Sequence, residues 1–265
     1  MVPPFLAYYA ADKQDLKLLN ETVRQCGLYR QILKPNITDS WKGVWHHIVG
    51  PTSQDLGFWS TGNGWAAAGM TRVLATVMKS DWIEDDQWQS TAIDTLTRYI
   101  KEIIDGASNA PMDTGLLRNY LTDRDSRGHG FGEVAGSALL AATTYRMVVL
   151  QPSIFDQTYV AWADSIRGVL GVKNQNPRVT ANGTVTPVVN PYAWQDTSPY
   201  KGTSPEANSF VLLLYAAWRD CVQAGNCPPT STAELSSTKN ILYAPRLCHL
   251  RSSKRLPSYM FSGSR

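Results

Sequence analysis

The stretch "GFWSTGNGWAAAGM", residues 57–70, sets two tryptophans around a Ser-Thr-Gly-Asn-Gly run and passes directly into small apolar residues. A polar, glycine-rich lead-in followed by a run without a polar side reads as a loop entering a helix that other helices surround. The continuation "WAAAGMTRVLATVM" (65–78) keeps that character, as do "MVPPFLAYYA" (1–10), "VAGSALLAATTYRMVVL" (134–150) and "SFVLLLYAAW" (209–218). Their Ala, Gly and Ser residues permit close backbone approach, so these four are expected to be inner helices. Three have a polar, Gly- or Ser-rich lead-in, and the landmarks Gly64, Gly136 and Asn208 follow one another at intervals of 72 residues. A period of that length suggests helical hairpins set around an axis, each inner helix starting at the same end. Convergent helix N-termini, with their unpaired N–H groups and positive dipole ends, suit an anionic ligand.

Between the inner segments lie helices with one wet side. Residues 81–104 put Ile93, Leu96, Ile100 and Ile103 on one face and Asp94, Arg98, Lys101 and Glu102 off it. Residues 153–171 place Phe155, Tyr159, Trp162, Ile166 and Val169 in one stripe behind a cap expected at Ser153, and residues 12–33 follow the same pattern. The fold class is therefore all-α, with inner and outer helices alternating along the chain.

Composition narrows the function. The chain has 265 residues, 43% hydrophobic and 18% charged, enough for a substantial core. The formal net charge of +3 is misleading: Lys239, Arg246, Arg251, Lys254, Arg255 and Arg265 fall in a closing stretch without an acid, and the body holds 19 basic against 22 acidic residues. We expect a folded domain over 1–230 and a disordered basic tail over 231–265. There is no basic stripe with interleaved aromatics and no apolar run of membrane-spanning length, so neither nucleic acid nor bilayer is expected as a partner. There is no G-x-S-x-G, H-E-x-x-H or paired C-x-x-C, and "GNG" is not a dinucleotide fingerprint. The adjacent His46 and His47 diverge on any regular element and make no metal site by themselves, so no metal is expected. Cys221 and Cys227 flank a five-residue loop that a disulfide could close, with two free thiols as the alternative. Three glycosylation acceptor triplets, at Asn20, Asn36 and Asn182, add a weak hint of secretion; "MVPPFLAYYA" itself is no signal peptide.

Trp41, Trp45, Trp59 and Trp65 fall within 25 residues. Flat rings of this kind hold sugar faces, although filling a core is the commoner use of tryptophan. Taken with these rings, "FWSTGNGWAAAGMTRVL", "MVPPFLAYYA", "FGEVAGSALLAATTYRM" and "SPEANSFVLLLYAAWRD" resemble, in order and over residues 1 to about 230, glycoside hydrolase family 105, the unsaturated rhamnogalacturonyl hydrolases, especially its fungal members. The resemblance implies a six-hairpin (α/α)6 barrel, of which about four of six inner helices are present. It implies an oligosaccharide substrate bearing an unsaturated uronic acid at the non-reducing end of a pectin fragment. A carboxyl group protonates C4 of the enol ether and then serves the water that attacks C5, without cofactor or metal.

The resemblance also places residues. His47, Trp59, Asn63 and Trp65 are the expected substrate-binding positions, with His46 the alternative to His47 should the register differ. The family's catalytic aspartate precedes the Met-x-Pro-Pro-Phe-Leu segment, hence upstream of Met1, as would a signal peptide for a secreted protein. Thr61 stands at the W-x-R-G-N-G-W arginine that helps recognise the uronate in bacterial relatives. The fallback acids within the chain are Glu133 and Asp55, each with helix capping as the alternative role. Glu206 is expected to be a first-turn helix acid and His129 an exposed loop residue. A second function class stays open: a non-catalytic carbohydrate-binding remnant.

Overall fold

The computed structural model describes residues 2–123, 130–171, 177–190, 192–193 and 196–229. The tail of residues 231–265, with Cys248, and His129 lie outside the described residues. Among the described residues seven helices dominate: α1 (Val2–Lys13), α2 (Leu16–Leu33), α3 (Ser60–Met78), α4 (Asp86–Ser108), α5 (Val134–Leu150), α6 (Gln157–Gly171) and α7 (Pro205–Gln223). In the inner row α3 packs between α1 and α5, and α5 continues to α7; α2, α4 and α6 lie outside, against α1, α3 and α5. This is an incomplete α/α barrel, an arc of four inner helices.

The burial pattern shows why these segments divide as they do. In α5, Val134 through Tyr145 are all buried, as a helix without a polar face must be. In α4 the stripe Leu96, Ile100, Ile103 and Ile104 is fully buried while the opposite face is wet. The 72-residue period becomes lateral contact between neighbouring hairpins. Arg30 of α2 grips Glu102 of α4 through two hydrogen bonds of 2.7 and 2.8 Å, and Thr61 at the start of α3 meets Glu133 at the start of α5, each pair 72 residues apart. The arc ends in apolar flanks. Phe5 and Tyr9 are exposed on α1, and Leu212 on α7.

The structure corrects several boundaries. α3 begins at Ser60, so "STGNG" is the helix's first turn rather than a loop leading into it. Small side chains explain this: a Cβ at Gly136 would sit 2.8 Å from the Ser60 carbonyl carbon, and one at Gly64 3.1 Å from Leu139. Packing at that distance offsets the low helix propensity of glycine, about 1 kcal/mol each. α6 begins at Gln157, capped by Asp156, whose carboxylate accepts from the Thr158 N–H, and not by Ser153. α7 takes in part of "GTSPEAN", with Ser204 as its cap and Pro205 in its first turn. Within the all-α fold a short hairpin, β1 (Met112–Asp113) with β2 (Leu116–Leu117), lies between α4 and α5; Thr114 and Gly115, at φ 49° and 81°, form its turn. Cys221 and Cys227 form a disulfide just past α7, and Cys26 is buried and free.

Candidate active site

The N-terminal ends of the inner helices converge. Gly136 of α5 touches Ser60 of α3, and the Trp65 indole of α3 donates to Glu206 of α7 at 2.8 Å. Beside α1 at this end lies a cavity of about 310 Å³ whose lining includes Pro4, His46, His47, Trp59, Trp65 and Met70. It is mostly apolar with few polar groups, the usual make-up of a small-ligand site. A larger hollow, about 750 Å³, runs along the concave face between α1 and α7 and includes Arg72, Lys79 and Arg146. It lies towards the C-terminal ends of α3 and α5, away from His46, His47, Trp59 and Trp65.

His47 is held from two directions. Its N–H donates to the Gly57 carbonyl at 2.9 Å, and Ile48 and Asp55 exchange two backbone hydrogen bonds, so residues 47–57 close into a short loop. Within it the His47 Nδ1 lies 2.9 Å from Asp55 Oδ2. The other Asp55 oxygen accepts from the Gly57 N–H at 2.9 Å, and the Tyr120 hydroxyl donates to Oδ2 at 2.5 Å. Burial works to raise the Asp55 carboxyl, but the bonds from Tyr120, Gly57 and His47 outweigh it and hold the group below its ordinary value. Tyr120 is correspondingly raised, by burial and by the carboxylate beside it. Gly57 is required here, because a Cβ would run into the Tyr120 ring. The Trp59 ring stands 4.6 Å from the His47 ring, and His46 is drawn away, stacked on Phe58 with its Nδ1 at the Leu56 carbonyl.

The expected binding residues separate on inspection. His47, Trp59, Asn63 and Trp65 all border the cavity. Trp59 is only 9% exposed, with its indole N–H bonded to Asn119 Oδ1 at 2.9 Å, so most of the ring is packing. Trp65 is more open, although Phe210 meets it edge-on at 5.1 Å. Asn63 directs both amide N–H groups to the carbonyls of Trp45 and Trp59, and its oxygen accepts from the Trp45 N–H. It clamps the preceding loop to the first turn of α3 and has no donor left for a sugar.

The fallback acids take different parts. Glu133 is fully buried and caps α5, accepting from the Gly136 N–H at 2.7 Å, from Thr61 at 3.3 Å and from the Val189 N–H at 3.2 Å. Burial pushes its carboxyl up to about 7. It can hold a proton, but its oxygens face helix ends and not the cavity. Asp55 caps no helix; the residue before α3 is Trp59, which makes no side-chain cap. Thr61 is likewise buried and turned to Glu133.

One participant escaped the sequence reading, and another does more than its position in the first turn of α7 suggested. Tyr120 arrives from the loop after β2, where its pairing with Trp59 fixes the register; a lone tyrosine in an irregular segment carries no period. Glu206 does not cap α7, a role Ser204 fills, and reaches α3 instead. Its Oε2 is buried without a hydrogen-bond partner, and burial raises its carboxyl above the ordinary value against the Trp65 bond. No cluster of three His, Cys, Asp or Glu able to hold a metal occurs among the described residues.

The family model for Glycosyl Hydrolase Family 88 matches residues 1–214. The chain belongs to that family. Solved structures agree on the fold. A possible family 105 member from Salmonella enterica is 15% identical with a TM-score of 0.63, over 81% of this chain and 53% of that one. A family 88 hydrolase from Bacteroides vulgatus is 15% identical with a TM-score of 0.55, over 84% of this chain and 60% of that one. A family 105 hydrolase from C. acetobutylicum is 15% identical with a TM-score of 0.56, over 82% and 62%. The chain thus spans between about half and three fifths of the length of these structures. No curated protein matches it.

Proposed function

We propose that this family 88 chain forms the sugar-binding side of a hydrolase that removes unsaturated uronic acid from the non-reducing end of pectin-derived oligosaccharides, by hydration of the C4–C5 double bond. The observation that carries the reading is the His47–Asp55 pair beside Trp59 and Trp65, at the convergent N-termini of the inner helices. The proton for C4 comes from a carboxyl on a segment that packs against the open flank of α1 and completes the ring. Two features favour an outside acid: Asp55 is held ionised, and Glu133 is sealed among helix ends. The same two features favour the second reading, that residues 1–265 alone bind carbohydrate without turning it over. The disulfide, together with exposed acceptor asparagines at 20, 36 and 182, supports secretion of the whole protein.

The test follows the double-bond absorbance of an unsaturated pectin disaccharide. The chain alone should leave it unchanged, while a protein extended upstream through the expected aspartate consumes it at a rate at least about 10²–10⁴-fold higher, the usual contribution of general acid catalysis. Equal rates would place the acid inside this chain and sink the assignment. A mass shift on enzymatic deglycosylation of protein secreted from a eukaryotic host checks the compartment; unmodified, intracellular material would refute it.

A further inference from the structure

The outer helices α2 and α4 are bridged near one end by Asn20 and Trp88 and near the other by Arg30 and Glu102. Between the bridges lies a groove of about 590 Å³, on another face of α2 from the Cys26 and Tyr29 that border the active-site cavity. Asn20, Gly27 and Gln31 stand at helical spacing along its α2 wall, and Trp88, Thr95 and Tyr99 along its α4 wall. Gly27 sets no side chain in the space. The run from Asn20 to Gln31 covers about 16 Å at the rise of an α-helix, the length of a pair or trio of linked pyranose rings.

Asn20 opens the triplet Asn-Glu-Thr and is exposed. An indole N–H can only donate, so the Asn20 atom 2.9 Å from Trp88 Nε1 is the amide oxygen. The bond thereby fixes the plane of the amide and leaves the nitrogen as its other branch. That nitrogen is the atom at which N-linked glycans are attached.

We infer that Asn20 carries an N-linked glycan whose first N-acetylglucosamine lies on the Trp88 ring and whose core runs along the groove between α2 and α4. Attachment joins Nδ2 to C1 of the first sugar and breaks the bond from C1 to the diphosphate of a lipid-linked oligosaccharide, the donor. The lipid diphosphate leaves, and the Nδ2 proton passes to a base of the host transferase. The Thr22 hydroxyl that completes the acceptor triplet is 0% exposed and donates to the Leu18 carbonyl at 2.8 Å, so the transfer precedes the folding of α2. Once α2 and α4 have packed, the bond from Trp88 holds the amide in one orientation at the head of the groove. The half-buried indole supplies a flat apolar face, and Thr95 and Gln31 supply a hydroxyl and an amide for the polar rim of the sugars. Asn36 and Asn182 are exposed too, but neither borders the groove; Asn182 sits in a tight turn where Thr180 and Thr184 both bond its oxygen.

The inference rests on the secretion reading, and the test separates the two. The 265-residue chain is passed through the secretory path of a eukaryotic host behind a cleavable leader, and occupancy of the three asparagines is read from glycopeptide masses in secreted and retained chain alike. Release of each glycan by a peptide N-glycosidase is then timed on native and on denatured protein. Gly27→Gln fills the groove from a position whose added Cβ meets nothing nearer than the Tyr99 hydroxyl at 3.4 Å, so the fold is kept. Asn20 should be occupied in both forms, because transfer comes before folding. Its glycan should leave native wild type about tenfold more slowly than native Gly27→Gln, the factor that one aromatic contact supplies, and at the same rate once both are denatured. An unoccupied Asn20, or equal release from the two native forms, overturns the inference and leaves secretion standing. If the natural protein stays unmodified inside the cell, the lipid-linked donor never reaches it and both fall.

Discussion

Single residues in this site were legible by type more than by role. Glu133 stands at a cap position and caps, and Glu206 lies in the first turn of α7 as expected; what spacing does not encode is the partners that Asp55, Asn63 and Glu206 find outside their own elements, Tyr120, Trp45 and Trp65. Two tests belong to this scale. Glu133 has its carboxyl raised by burial to about 7 against an ordinary 4.5. The folded state therefore retains a proton that the unfolded state releases, so this group's stabilisation is complete below about 4.5 and is lost as pH rises through about 7. The unfolding free energy read from denaturant curves should fall across that window by an amount on the order of 1–3 kcal/mol, and Glu133→Gln should flatten the slope. A slope that persists in the variant assigns it elsewhere. The second test concerns Trp65. Trp65→Phe keeps the ring against Phe210 but removes the one donor on Glu206, whose other oxygen is already unpartnered. The expected cost is about 1–3 kcal/mol, largely recovered by Trp65→Phe with Glu206→Leu, since removing both polar partners is nearly neutral where removing one is not. Equal losses in the single and double variants would show that shape alone matters there.

At the scale of elements, the sequence pattern identified every long helix among the described residues but missed where five of them begin. The reason is that starts are set by caps and close approach, which pattern does not encode. α3 is the case in point: five residues read as loop chemistry form a helical turn because α5 lies close enough to exclude a Cβ at Gly136. The hairpin at 112–117 was missed for a related reason, two-residue strands being too short to show alternation. A matched pair of substitutions separates propensity from packing. Gly136→Ala places a methyl group 2.8 Å from the Ser60 carbonyl carbon and must push α3 and α5 apart where the site is built, at a cost of about 1–3 kcal/mol or more. Gly168→Ala, in α6 with nothing within 4 Å of the added carbon, should stabilise by about 0.5–1 kcal/mol. Thermal or denaturant unfolding of the two variants reads the contrast; if both stabilise, the two helices are not in the close contact described.

At the scale of the whole molecule, the 72-residue period anticipated the arrangement well, because lateral contacts such as Arg30–Glu102 and Thr61–Glu133 recur at that spacing. What the period could not show is the state of the flanks. An inner helix of a closed ring is covered on both sides, yet α1 exposes Phe5 (65%) and Tyr9 (49%) and α7 exposes Leu212 (63%), while Tyr8 and Leu213 face the concave hollow. These apolar faces lie at opposite ends of the arc, and each is a surface that water disfavours at about 25 cal/mol per Å². Because the two ends differ, a contact between the α1 flank of one molecule and the α7 flank of another is heterologous; it closes into a ring only at one rotation and otherwise propagates. The expected behaviour of residues 1–265 is therefore concentration-dependent association, growing with salt as apolar contacts strengthen and as repulsion is screened. Sedimentation velocity over a hundredfold dilution should show it. Charging one flank alone, with Phe5→Lys and Tyr9→Glu, should cap propagation at short oligomers, and adding Leu212→Glu on the other should leave monomer. If the unmodified chain instead sediments as a single monomeric species that unfolds cooperatively, the flanks are compatible with water, and the case that further hairpins must cover them falls with it.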